Sequence, residues 1–533
     1  SAVSMAAGWD NSTGAWRYLN NDGTEVTDEW KSANGNWFYL DDDGVMATDK
    51  LIEDTSSNNG KTKYYYVDQY GAMVKNTWKA VAMDDDSSDL DAEYWWYYFG
   101  NDGKAYTTDS DKLTKSKLKT INGLKYAFNE EGHMLYGWVE EDNYQTQDDT
   151  TEDRWKNATY YFNGWNDGHA QTGWAQLTVE DDDDTKDYWF YFGSDGVKQA
   201  NKRKKINGVY YVFGENGNMV DEWAYQYGAS SWSEMNDAFK SGDYDASVSY
   251  LNGDGSQRKN TWVYAIPDEK MSQSDNDDDE YRWFYAGKNG KLVTDQIKKV
   301  NGKKYAFDEI GRMKTGFVKT TDGKAYEGTF KEAYGDNELD YDDLTRDQWI
   351  AGDFDNLAFF STDEAKDGAM KYGYQNIELD DGTYQFYFDK KNGQAYTKWN
   401  GDIKKFLVNG MILKPSTDDN NNYAAVKVVG DEPVAMYTDY AKIVDQIEHE
   451  HATLYLVNTS GTKVTKKTVK DENDQYWRTN DKGVIVRYAV DKDRYDALRD
   501  KKDESKKDTQ YWGKDCWNSD VKDSSGNALD WNF

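Results

Sequence analysis

The stretch GNWFYLDDDGVMAT, residues 35–48, carries the pattern that decides the fold. Trp37, Phe38 and Tyr39 stand in succession, followed by Leu40, a polar run of Asp and then Gly44. Aromatic side chains favour extended backbone because they fit a pleated, half-buried surface. A short polar run closed by Gly supplies the positive φ that a tight turn requires. The reading is an aromatic strand entering a hairpin turn.

The same unit recurs on both sides. Upstream, Trp16-Arg17-Tyr18-Leu19 leads to Gly23 and Trp30; downstream, Tyr64-Tyr65-Tyr66-Val67 leads to Gly71 and Trp78. Aromatic strand, turn glycine and closing Trp are taken together as one hairpin. A larger cycle is superposed on it. Trp96-Tyr97-Tyr98-Phe99, Trp189-Phe190-Tyr191-Phe192 and Trp283-Phe284-Tyr285 recur about 93 residues apart, each followed by an Asn-Gly hairpin at Asn122-Gly123, Asn207-Gly208 or Asn301-Gly302. An isolated hairpin is marginal in water, so consecutive ones must stack and share their aromatic rows. The expected fold is all-β: a solenoid of tandem β-hairpin repeats with acidic loop insertions over residues 1–400, and a small mixed α/β capping region over 401–533. In that tail Tyr440 to Ile447 and Tyr495 to Asp500 read as helices and Thr453 to Val457 as a strand.

Composition agrees with a thin aromatic fold. Of 533 residues 16% are aromatic, yet only 37% are hydrophobic, so Trp, Tyr and Phe must supply most of the buried area. The formal charge of −34 excludes nucleic acid and anionic membrane surfaces as partners, and leaves cations and neutral sugars. No apolar stretch approaches the roughly 18 to 20 residues that span a bilayer, so membrane insertion is not expected. No signal peptide is visible either. A single cysteine, Cys516, forms no intrachain disulfide.

Acidic runs precede the Trp-led strand of each cycle. Asp84 and Asp86, Asp182 and Asp184, and Asp277 and Asp279 are candidate calcium ligands, weighed against a role as hydrated loops that keep neighbouring molecules apart. They lack the defined ligand spacing of a calcium-binding loop. No other cofactor is indicated. The four histidines, His133, His169, His449 and His451, belong to no nucleophile, triad or zinc signature, so the chain reads as non-catalytic. A hydrolase confined to residues 401–533 is the enzyme reading to test.

Residues 35–48 and the segment Gly132-His133-Met134-Leu135-Tyr136-Gly137-Trp138 closely resemble the cell-wall-binding repeat family, which includes choline-binding, glucan-binding and clostridial toxin repeats of Gram-positive surface proteins. The resemblance covers most of residues 8–400. In the choline-binding branch it implies a ligand cage between hairpins, formed by a closing Trp, the first aromatic of the next strand and a further ring. Trp30 with Trp37 fits best, and Trp78 with Trp96, Trp174 with Trp189 and Trp262 with Trp283 are the corresponding pairs. The implied function is attachment of a secreted or cell-surface protein to cell-wall polymer or polysaccharide, through a choline-like cation or glucan. The alternative is an adhesin for a host or neighbouring-cell protein, with the repeats purely structural.

Overall fold

Strand pairing follows from where the chain can reverse. In the computed structural model Asn34 and Gly35 have φ of 50° and 81°, and Asn122 and Gly123 have 50° and 85°. Two successive positive-φ residues form the turn whose twist matches the flanking strands. Strand Glu29–Ala33 accordingly pairs with Asn36–Leu40 and sets Trp30 opposite Tyr39. The structure describes residues 8–500 except 57–58, 84–89, 148–152, 228–230, 236–246, 322–323, 327–339, 364–367 and 417.

The same forward pairing joins Lys50–Asp54 to Lys63–Val67, Thr77–Ala82 to Tyr94–Phe99, and Gly173–Asp181 to Asp184–Phe192. Each closing Trp therefore belongs to the hairpin that follows it. This corrects the grouping drawn from the motif, and the turn at Asp41–Gly44 gives the reason. The Asp41 carboxylate accepts from the backbone N–H of Asp43 at 3.1 Å and of Val45 at 2.8 Å. That turn brings the chain back for one bridge, Leu40 with Met46. Asp49, at φ 45°, then directs it into the next hairpin.

Consecutive hairpins are joined by the residue two places after the turn glycine. Met134 donates its N–H to the Trp96 carbonyl of the preceding hairpin at 2.8 Å. Its side chain lies against Gly168 of the following hairpin, where an added Cβ would stand 2.2 Å from Sδ. Met46, Met73 and Met219 do the same, donating to Trp16, Trp37 and Trp189 at 2.7–2.8 Å and packing against Gly71, Gly103 and Gly255. Lys198 takes this place in a later hairpin, donating to Thr159 at 2.8 Å and packing against Gly217.

The chain divides into two compact units, 1–258 and 259–533. The described part of the first is a series of two-stranded hairpins ending in a three-stranded sheet, with Glu222–Tyr227 between Ser231–Glu234 and Ser247–Leu251. The second begins with the hairpins Thr261–Ala265/Arg282–Ala286 and Gln296–Val300/Lys303–Phe307. It continues into a five-stranded sheet, in the order Gly373–Leu379, Gly382–Phe388, Met411–Ile412, Lys405–Val408, Lys398–Asn400. Residue 400 thus lies at a turn inside one sheet. Phe317, Trp349, Phe386, Phe388 and Phe406 form the core beneath it.

Beyond that sheet, Tyr423–Val429 pairs with Glu432–Tyr437 and Thr453–Asn458, and helix Tyr440–Glu448 buries Ile443 and Ile447. Helix Lys492–Asp500 follows the sheet of Thr468–Lys470, Tyr476–Thr479 and Ile485–Ala489. The protein is mainly β, built of many small hairpin sheets. Among the described residues no helix is long and apolar enough to cross a membrane.

The seat of glycine on methionine is testable by comparing two alanine variants. Gly168 and Gly123 share positive φ, 74° and 85°, but a Cβ at Gly123 would meet nothing within 4 Å. Both changes carry the backbone penalty of roughly 1–2 kcal/mol. Gly168→Ala adds overpacking of about 1–3 kcal/mol. Urea denaturation is expected to show Gly168→Ala as the more damaging by at least ~1 kcal/mol; equal losses would remove the Met134 contact from the account of stacking.

Candidate functional site

Forward pairing brings three rings together in repeat after repeat. Trp30 meets Tyr39 across its own hairpin and Tyr65 from the next one, both with ring centroids 5.1 Å away and planes inclined by 61° and 64°. Trp78 meets Tyr98 and Tyr126 at 5.1 and 4.9 Å, Trp174 meets Tyr191 and Tyr211 at 5.2 and 4.9 Å, and Trp262 meets Tyr285 and Tyr305 at 5.2 and 4.7 Å. Two further clusters were not singled out from the sequence. They are Trp9 with Tyr18 and Phe38, and Trp138 with Tyr161 and Phe190. Trp30, Tyr39 and Tyr65 are half-buried, packing on Ile52 and Val67 while part of each ring stays open. Edge-on aromatic pairs of this kind contribute about 0.5–1.5 kcal/mol beyond their buried area.

The Trp pairs named from the sequence hold three of the expected contacts. Trp78 and Trp96, Trp174 and Trp189, and Trp262 and Trp283 lie 6.4, 6.2 and 6.1 Å apart, nearly perpendicular. Both members of each pair sit on one hairpin. Between Trp174 and Trp189 the acidic residues Asp182 and Asp183 form the turn at the far end of the hairpin, away from the two rings. Trp37 lies opposite Ser32 and is 43% exposed; Trp189 is 42% exposed. The tyrosines were the missed members. Once Asn34-Gly35 is taken as the turn, counting outward puts Tyr39 opposite Trp30, so the signal was present in the turn dipeptide.

Carboxylates surround the Trp30 cluster. Burial raises the pKa of the Tyr39 phenol, and Asp28, Asp54 and Asp41 raise it further. Tyr65 is raised by burial and then by Asp54 and Asp102. The local potential is therefore negative, which favours a cation against these rings and opposes an anion.

The two acidic runs that lie within the described residues differ in structure. Asp84 and Asp86 lie outside the described residues. Asp182 and Asp183 are themselves a two-residue turn, at φ 52° and 64°, and Asp184 opens the returning strand. This second run is a hairpin tip and not a loop insertion, because Asp tolerates the left-handed conformation. Asp277 ends the helix Gln273–Asp277 and Asp279 follows it at φ 52°. Asp275 in that helix is buried, accepting from Arg282 at 2.8 Å and Arg312 at 2.9 Å. Among the described residues no three His, Cys, Asp or Glu side chains are grouped to hold a metal ion.

One histidine packs on a ring and another makes a surface contact at a helix end. The His133 ring stacks flat on Trp95 with centroids 4.1 Å apart, and burial pushes its pKa down to about 4, so it is neutral in that stack. Helix Tyr440–Glu448 ends before His449, whose Nδ1 lies 2.7 Å from Asp445. Cys516 lies outside the described residues.

Residues 26–78, which contain Trp30, Trp37, Tyr39, Tyr65 and Trp78, match the family model of the choline-binding repeat. The resemblance to cell-wall-binding repeats is thus shown on the segment that carries the Trp30 cluster. Among curated proteins, glucosyltransferase-S of Streptococcus mutans is 25% identical over 268 residues, 49% of this chain and 14% of that protein. Glucosyltransferase-I of Streptococcus downei is 25% identical over 338 residues, 59% of this chain and 17% of that protein. The chain spans less than a fifth of the length of either. Among solved structures, choline-binding protein F from Streptococcus pneumoniae, determined in the presence of a peptidoglycan analogue, is 20% identical with a TM-score of 0.35, covering 60% of this chain and 96% of that one.

The Asp275 ion pairs generate a stability prediction. Burial alone would raise its pKa, but hydrogen bonds from Arg282 and Arg312 outweigh that and bring it down to about 2. Asp275→Asn leaves two guanidinium groups without that partner and is expected to destabilise the protein by about 3 kcal/mol at pH 7. A depressed carboxylate pKa stabilises fully above the unfolded value near 3.8 and loses that contribution as the pH falls toward 2. The gap between variant and wild type in denaturant titrations should therefore narrow between pH 5 and pH 2.5; a loss under ~1 kcal/mol at pH 7 would show the pair to be dispensable.

Proposed function

We propose that this protein is a non-catalytic binding protein of the cell surface that attaches to cell-wall polymer, holding a choline-like quaternary ammonium group in the three-ring clusters. The observation that carries this reading is the coincidence of three properties at Trp30, Tyr39 and Tyr65. The rings are half open, carboxylates lie around them, and the segment matches the choline-binding repeat. Ring faces attract a quaternary ammonium by cation–π interaction, worth about 0.5–2 kcal/mol per ring. The net charge of −34 concentrates such a cation near the surface. Similar clusters at Trp78, Trp174 and Trp262 turn weak single sites into avidity for a polymer carrying many such groups.

Glucan is the second reading, and a different surface favours it. Tyr264 and Trp283 lie 4.5 Å apart at 30°, and Tyr264 and Tyr281 lie 5.2 Å apart at 32°. Tyr264 and Tyr281 are 51% and 54% exposed, so the three rings form a tilted stack with open aromatic surface against which a sugar face can pack. The glucosyltransferase relatives make this worth testing separately from the cation clusters.

Choline and a soluble glucan should be titrated in parallel while Trp fluorescence is followed. Choline is expected to change the emission, and Trp30→Leu, which keeps apolar bulk, should weaken its tightest phase by about 2- to 30-fold. Tyr264→Ala combined with Tyr281→Ala is expected to reduce glucan binding and leave choline binding intact. Silence with both ligands would overturn the attachment reading in favour of an adhesin for a protein partner.

A further inference from the structure

One cluster in the second unit is built like the others but already contains a cation. Trp399 pairs directly across its hairpin with Phe406, as Trp30 does with Tyr39. Their centroids are 4.7 Å apart, and Tyr455 on strand Thr453–Asn458 lies 5.1 Å from Phe406, so that Phe406 here, and not the Trp, is the ring that meets the other two. Into these rings projects Lys463, whose Nζ lies 3.6 Å from the Trp399 centroid, 4.5 Å from Tyr455 and 4.7 Å from Phe406.

Lys463 occupies the place that methionine takes elsewhere. It follows Gly461 by two residues and bridges Val457, as Met134 follows Gly132 and bridges Phe128. Gly483 packs over it, a Cβ there meeting Lys463 Cβ at 3.2 Å, as Gly168 packs over Met134. Met134 lies with Trp78, Tyr98 and Tyr126 in one packed cluster. An ammonium on a long stem thus replaces a thioether at the same point of the repeat.

A second instance of the exchange supports the pattern. Lys198, two residues after Gly196, is buried with its Nζ 5.6 Å from the Trp138 ring and bonded to the Trp155 carbonyl at 2.6 Å. Trp138 is the centre of the cluster with Tyr161 and Phe190. Both lysines therefore stand at the methionine position of a three-ring cluster.

We propose that Trp399, Phe406 and Tyr455 form a cation cage that the chain fills with its own Lys463 ammonium, so that the cage accepts a small quaternary ammonium only when that lysine is removed. The inference rests on the reading of the three-ring clusters as ammonium sites. It adds that not every cluster is open to ligand and that the residue two after the turn glycine decides which are. Lysine acts here as the ligand in cis: its charge is offset by the ring faces, while its stem fills the volume a methionine would fill.

The test counts tetramethylammonium bound per chain by equilibrium dialysis for wild type, Lys463→Met and Lys463→Ala. Thermal melts confirm that each is folded. Lys463→Met reproduces the ordinary repeat, and Lys463→Ala serves if the methionine variant packs too tightly. Either variant is expected to bind one more cation than wild type, and Trp399→Leu in the Lys463→Met background should abolish the gain. If wild type binds and neither folded variant binds more, the lysine-filled cage is overturned while the cluster reading stands. If wild type binds none but a Lys463 variant binds one, the cage is upheld and the reading of the other clusters fails. No binding by any of them overturns both.

Discussion

One residue per repeat holds three hairpins together, and the rest of the structure depends on it. Met134 reaches back with its N–H to Trp96 and forward with its side chain to Gly168. The backbone bond sets the spacing between neighbours. The glycine seat lets the next turn come close enough for its aromatic strand to touch the previous Trp. At Met46 the same arrangement, with Gly71 seated on its side chain, brings Tyr65 of the next hairpin to 5.1 Å from Trp30.

From that spacing comes the double use of the aromatic rings. Thin hairpins have little apolar material, so Trp30, Tyr39 and Tyr65 must serve as packing surface for Ile52 and Val67. The same rings stay half-buried with carboxylates around them. Core and candidate site are therefore the same residues, and substitutions that keep apolar bulk separate the two roles better than truncation to alanine. Where a charged residue enters the packing position, as at Lys198 and Lys463, the rings supply its counter-environment, and burial pushes the pKa of both ammonium groups down, to about 7 at Lys198.

Local features were legible in the sequence. Aromatic runs became strands, Asn-Gly became tight turns, and the helices at Tyr440–Glu448 and Lys492–Asp500 fell near their expected places. The aromatic-turn-Trp motif alone left the pairing direction open, because the Asp41–Gly44 turn also reverses the chain; the Asn34-Gly35 dipeptide held the signal, and the structure shows the chain leaving for the next hairpin at Asp49. The two acidic runs within the described residues look alike in sequence and differ in structure. One is a turn at Asp182 and Asp183, and another contributes the buried Asp275.

By itself the sequence determined the parts, an aromatic strand, a glycine turn and a recurring Trp, since strand propensity and positive φ are properties of a few neighbouring residues. Tertiary structure decided which rings meet and what fills the space between them. Tyr65 reaches Trp30 from the next hairpin, Arg312 reaches Asp275 from 37 residues away, and Lys463 reaches Trp399 from a bridge residue that follows strand Thr453–Asn458. Such contacts depend on register and on the separation of stacked hairpins. Those are set by long-range backbone bonds and the glycine seats, which no single repeat contains.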